Sequence, residues 1–150
     1  MDNFELLSTL KDYADTQGWH FLSGDNFYQN YEASQKEYYP GDLVLSADFD
    51  AAPIYSPGGK ISQIRYTGVL ALGRKVDETP ILDETRSTLD ETFWQKYVRR
   101  LEELMKLLSI ALTTIACDND LELENARFRL ALNKFDTNID FISGTVTIIQ

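Results

Sequence analysis

The residues of this chain with the widest chemical range are one histidine, one cysteine and two groupings of carboxylates. His20 lies between Trp19 and Phe21, and no second histidine or Cys-x-x-Cys pair stands near it to complete a metal site. It reads as a structural histidine. Cys117 closes an apolar stretch, with no helix start or adjacent base to make it a thiolate, and reads as a small buried hydrophobe. The run Asp118-x-Asp120-x-Glu122-x-Glu124 has the spacing of a calcium loop. Its sixth position is Leu123, where the loop needs glycine, and its twelfth is Arg129, where it needs a bidentate glutamate. Asp48 and Asp50 fall on one face of an alternating stretch, but no second element brings an acid, base or metal partner. Ser56-Pro57-Gly58-Gly59-Lys60 matches neither the phosphate loop nor the dinucleotide fingerprint and reads as a hairpin tip. No catalytic residue, cofactor or metal site emerges. The expectation is a non-enzymatic protein that works through contact surfaces.

The basic residues are few and grouped. Lys96, Arg99 and Arg100 precede Glu102 and Glu103 on one helix, where Arg99 and Glu103 are spaced to pair. Arg127 and Arg129 share one face of a strand and suit an acidic partner. Net charge is −10 and uneven: residues 1–59 hold ten acidic and two basic side chains, the remainder fourteen and twelve. That balance opposes tight, sequence-independent binding to phosphate backbones, which needs many lysine and arginine contacts. It favours solubility, and an acidic face would repel nucleic acid passing nearby. Acid at one end of a molecule and base at the other is what head-to-tail ring assembly requires.

These groups need elements to position them. At 150 residues, 43% hydrophobic and 12% aromatic, the chain fits a single domain over residues 1–150 with a full core. One cysteine excludes an internal disulfide. The Met1–Glu5 start lacks a basic stretch and an apolar run, and no apolar stretch nears ~20 residues, so a cytoplasmic, non-membrane protein is expected.

Asp2-x-x-Glu5 and Gly18 bracket a helix over about 3–17. Residues 19–39 are dense in aromatics without a clean period, with a short helix possible near 25–37. Tyr39–Asp42 reads as a turn. Residues 43–49 alternate as a half-buried strand, with Leu43, Leu45, Ala47 and Phe49 on one face. Pro53, Pro57, Gly58 and Gly59 mark 50–60 as a projecting loop. A second strand follows over 61–75, with Ile64, Tyr66, Leu70 and Leu72 together. After a polar linker around Pro80, Thr88-x-x-Glu91 opens a long helix over about 89–117. From Leu104 onward that helix is apolar nearly all round, which predicts burial on several sides, part of it by a neighbouring subunit. A third strand covers 121–133, its parity switching near Asn125 as at a bulge. A turn at Asp136–Asn138 leads to the last strand, 139–149, apolar on both faces. The order α-β-β-α-β-β predicts an α+β fold: a mostly antiparallel four-stranded sheet covered by one long helix. The expected interface residues are Ile54 and Tyr55 in the loop, Leu107 and Ile110 on the helix, and Arg127 and Arg129 on the third strand.

The order of elements, the size and the acidic balance resemble the tail-terminator and head-tail-joining proteins of tailed bacteriophages. The nearest likeness is to small tail-end proteins of phages from Bacteroides-like hosts. The resemblance runs through Asn26-Phe27-Tyr28-Gln29-Asn30-Tyr31 ahead of Leu43-Val44-Leu45, then Tyr66-Thr67-Gly68-Val69-Leu70-Ala71-Leu72, then the closing Ser143-Gly144-Thr145-Val146-Thr147-Ile148. It covers most of the chain in outline, and none of these segments is a chemical signature. It implies a virion protein forming a ring, a hexamer, at the end of the tail tube. Such a ring stops tube growth, meets the tube and neck proteins, and passes DNA through its lumen without gripping it. Two other readings stand beside it. One is a cytoplasmic assembly chaperone or adaptor using segment 19–39 as a peptide groove. The other is a small ligand-binding domain or enzyme, which a deep pocket lined with tyrosine and aspartate would favour.

Overall fold

The computed structural model describes residues 3–24, 38–39, 41–75, 93–134 and 139–150. The fold is α+β, with helices α1 (Asn3–Gln17) and α2 (Phe93–Asp118) and strands β1 (His20–Ser23), β2 (Leu43–Tyr55), β3 (Ile61–Lys75), β4 (Glu122–Lys134) and β5 (Ile139–Ile149). The strands form one five-stranded sheet in the order β1-β2-β3-β5-β4. Hairpins β2–β3 and β4–β5 are antiparallel and join through an antiparallel β3–β5 pair.

The expected four-stranded antiparallel sheet is corrected by β1, a fifth strand that runs parallel to β2 over Val44–Ala47. Four residues are too few to show a period of two, so the aromatic stretch hid it. The expectation of one covering helix is corrected too. α1 buries Leu6, Leu10 and Ala14 in the same core as α2. The helix expected over 25–37, the linker 76–87, both capping boxes and the turn at 136–138 lie outside the described residues.

Both helices cover one face of the sheet. There Leu104, Leu108, Leu112 and Ile115 of α2 meet Leu45, Ala47 and Phe49 of β2, Tyr66, Leu70 and Leu72 of β3, and Ile142, Val146 and Ile148 of β5. Full burial of each leucine is worth about 1.5–3 kcal/mol. The opposite face carries a smaller cluster of Leu22, Val44, Ala71, Ile139 and Phe141, with Tyr38 against it. The two-faced apolar pattern of β5 thus serves two clusters.

Both helix ends are capped alike. Gly18, at φ 74°, lets the Trp19 N–H reach the Ala14 carbonyl (2.8 Å) and its own N–H reach that of Asp15 (3.1 Å). This paired bonding satisfies carbonyls that the helix leaves open. Asp120 takes the same left-handed conformation (φ 53°) after α2, where the Leu121 N–H bonds the Ala116 carbonyl at 2.9 Å. The expected bulge in β4 lies between Leu123 and Asn125. It returns Ala126 and Phe128 to the helix side, where Phe128 lies over Gly144.

Candidate interaction surfaces

The segment 50–60, expected as a loop, is mostly strand. β2 continues to Tyr55, β3 begins at Ile61, and only Ser56–Lys60 turns. Pro53 is tolerated because β1 flanks β2 only over Val44–Ala47, so among the described residues no outer strand needs the missing N–H. The tip closes by hydrogen bonds from the Ser56 N–H to the Lys60 carbonyl (2.7 Å) and from the Gly59 N–H to the Ser56 carbonyl (2.9 Å). β5 pairs with β3 only from Arg65 onward. The Gln150 N–H still bonds the Ile64 carbonyl at 3.0 Å, and Ile64 packs on the core, so the two-stranded arm runs from Ile54 to Gln63 and reaches roughly 7–10 Å beyond the sheet before its turn.

The arm carries apolar side chains into solvent. Ile54 is 39% exposed, Tyr55 62% and Ile61 55%. Ile54 and Tyr55 were expected here; Ile61, across the hairpin from Tyr55, was not singled out, although its type and place beside the tip were visible. At the arm's root a Cβ on Gly68 would overlap the Asp48 carbonyl oxygen and approach the Phe49 Cα to 2.6 Å. Only glycine allows the strands to come this close.

The α2 pair divides. Ile110 is 58% exposed, whereas Leu107 is half-buried and packs against the chain's own core. Cys117 is exposed, which corrects the buried reading: at the end of α2 it falls off the stripe defined by Leu108, Leu112 and Ile115. Glu103 takes Arg74 of β3 as its partner at 2.8 Å, in place of a simple pairing with Arg99. The Arg74 hydrogen bond holds the Glu103 carboxyl below its ordinary range against the opposing effect of burial, with Arg74 and Arg99 adding charge attraction. The side chains of Lys96 and Arg100 lie outside the described ones.

Arg127 and Arg129 are exposed on the sheet face turned away from the helices. Asp48 and Asp50, also exposed, lie on that same face. Acid and base thus sit on one surface, at strands β2 and β4, with β3 and β5 between them.

His20 makes a structural link. Its Nε2 donates to Asp42 Oδ2 at 3.1 Å, and its ring meets Tyr38 edge-on at 4.7 Å. The Tyr39 N–H also donates to Asp42 Oδ2, at 3.0 Å. These two bonds, the backbone one foremost, hold the Asp42 carboxyl below its ordinary range. Tyr39–Asp42 is the expected turn, with the Asp42 N–H on the Tyr39 carbonyl. An open cleft of about 350 Å³, with polar and apolar lining in equal parts, lies between the ends of α1 and α2, lined in part by Asp12, Tyr13, Asp118 and Asn119. Among the described residues no group of three or more histidine, cysteine or acidic side chains is placed to hold a metal ion. Asp118–Glu124 instead ends a helix and begins a strand. Among the same residues no helix is long and apolar enough to cross a membrane. No protein-family model and no curated protein matches this chain.

Proposed function

We propose that this chain is a structural assembly protein that forms a ring at the end of a phage tail tube and works through protein–protein contacts. The observation that carries this reading is the arm: a two-stranded projection whose exposed Ile54, Tyr55 and Ile61 have no core of their own to enter. Laid on a neighbouring subunit or a tube ring, these side chains leave water and anchor the contact. Ile110 adds a second apolar contact on α2. The tail-end identity and the six-fold ring rest on the resemblance of element order and segments. Tube and neck proteins are the partners, and an acidic lumen passes DNA by weak repulsion. The protein acts in the virion after assembly in the host cytoplasm.

Native mass measurement of the full chain, alone and with tube protein, tests the proposal. A species of six 17.2-kDa chains that is lost on Tyr55→Ser, with the fold intact, is expected. A monomer that neither caps tubes nor responds to arm variants overturns it. The ligand-binding reading draws one observation, the cleft holding Asp12, Tyr13 and Asp118. Two helices end beside it, and neither carries a basic residue in its last turn, so the local field is negative and suits a cationic group. Calorimetric titration with a polyamine separates the two readings: saturable binding abolished by Asp12→Asn supports the cleft.

A further inference from the structure

The tip of the arm carries a single charge. Residues 51–76 hold four basic side chains, Lys60, Arg65, Arg74 and Lys75, and no acidic one. Arg65 is paired with Glu124 at 3.7 Å and Arg74 with Glu103 at 2.8 Å. Lys60 is the only charged residue from Ile54 to Gln63; it is exposed at the tip and forms no ion pair among the described residues. The cleft between the ends of α1 and α2 is its electrostatic complement. Asp12 and Asp118 line it, no basic side chain does, and neither aspartate forms an ion pair among the described residues. Lys11, next to Asp12 in sequence, is held by Asp15 at 2.7 Å, and Asp12 adds only a weaker attraction. Both helices end here without a basic residue in the last turn, which deepens the negative field. We infer that the cleft receives the arm tip of a second copy of the chain, with Lys60 of one copy set between Asp12 and Asp118 of the next. Resting on the ring reading, this docking names the surface that the arm meets.

Size and polarity agree with charge. A cleft of about 350 Å³ lies at the small end of the range for binding pockets, enough for one long side chain and the flank of a tight turn. Its lining is half apolar, with Ile115 and Tyr13 beside the carboxylates. A lysine uses both halves: its methylene stem lies along apolar surface while its ammonium meets the charged rim. Tyr55 and Ile61, paired across the hairpin just behind the tip, then close over the mouth of the cleft and leave water. Other acidic groups suit the tip less well. Asp48 and Asp50 share the open sheet face with Arg127 and Arg129, so the field there is mixed, and Glu103 and Glu124 already hold arginines of their own chain. No arm residue lines the cleft of its own chain, so arm and cleft are separate surfaces. Contact between them runs head to tail, the arrangement that closes into a ring.

Native mass measurement of the full chain over a range of concentrations tests the docking, with two variants that reverse its charges separately: Lys60→Glu, and Asp12→Lys with Asp118→Lys. Circular dichroism checks that each remains folded. Each variant alone should weaken association at least about tenfold. An equimolar mixture of the two should recover an assembly holding them in equal number. There the acidic arm meets the basic cleft, and the unchanged arm meets the unchanged cleft. In the wild type, carbodiimide coupling should join Lys60 of one copy to Asp12 or Asp118 of another, located by peptide mass mapping with one copy isotope-labelled. An assembly that is lost on Tyr55→Ser but indifferent to both charge variants overturns the docking and leaves the ring reading standing. A mixture that does not recover also overturns the docking alone. A chain that stays monomeric at all concentrations overturns both.

Discussion

Replacing Gly68 by alanine tests the geometry at the root of the arm. The added Cβ would overlap the Asp48 carbonyl oxygen and sit 2.6 Å from the Phe49 Cα, both backbone atoms that no rotamer change moves away. Ordinary carbon contacts need about 3.5 Å, so β2 and β3 must part by roughly 1 Å where Phe49 pairs with Gly68. That shift weakens about two ladder hydrogen bonds, at ~1 kcal/mol each, and disturbs the packing of Phe49 and Tyr66 at a further ~1–2 kcal/mol. The expected loss is about 2–4 kcal/mol, which lowers the melting temperature of a domain this size by about 5–15 °C. Gly58→Ala is the control, because a Cβ there meets nothing within 4 Å and its φ is ordinary. It should be neutral or stabilise by up to ~1 kcal/mol through the unfolded chain. Urea denaturation followed by circular dichroism reads both. A Gly68→Ala stability within ~0.5 kcal/mol of wild type would refute the close approach and the account of the arm's root built on it.

Leu108→Ala removes a fully buried side chain of α2 and should cost about 3–5 kcal/mol, read from the denaturation midpoint; a loss under ~1 kcal/mol would contradict its place in the core. Ile110→Asp should leave the melting temperature nearly unchanged and weaken association, whereas Leu107→Asp should do both, since Leu107 packs on its own core. The Asp42 carboxyl is depressed below its ordinary value of 3.8. A depressed carboxylate contributes stability in full above that value and loses it as pH falls through the lower folded value. Stability should therefore drop below about pH 4 more steeply in the wild type than in Asp42→Asn, and equal slopes would rule out the contribution.

Much of the architecture follows from local chemistry. The alternation of 43–49 and 61–72, the stripe of α2, the parity switch near Asn125 and the stop at Gly18 each encode a periodic or conformational constraint carried by neighbouring residues. These signals act over one element, so a single chain displays them. Ile54, Tyr55 and Ile110 were legible as apolar side chains in places a small core does not reach. What one element does not encode is its partner. β1 exists because β2 offers an edge to His20–Ser23, and Pro53 stays in a strand because, among the described residues, no strand pairs with that edge beyond Ala47. Arg74 reaches Glu103, and Asp48 shares a row with Arg127, through pairings between residues far apart in sequence. Periodicity is set by the backbone dihedrals of each element. Adjacency, and with it every candidate contact surface, is set by which strands lie beside one another, and that is decided when the whole sheet closes over its core.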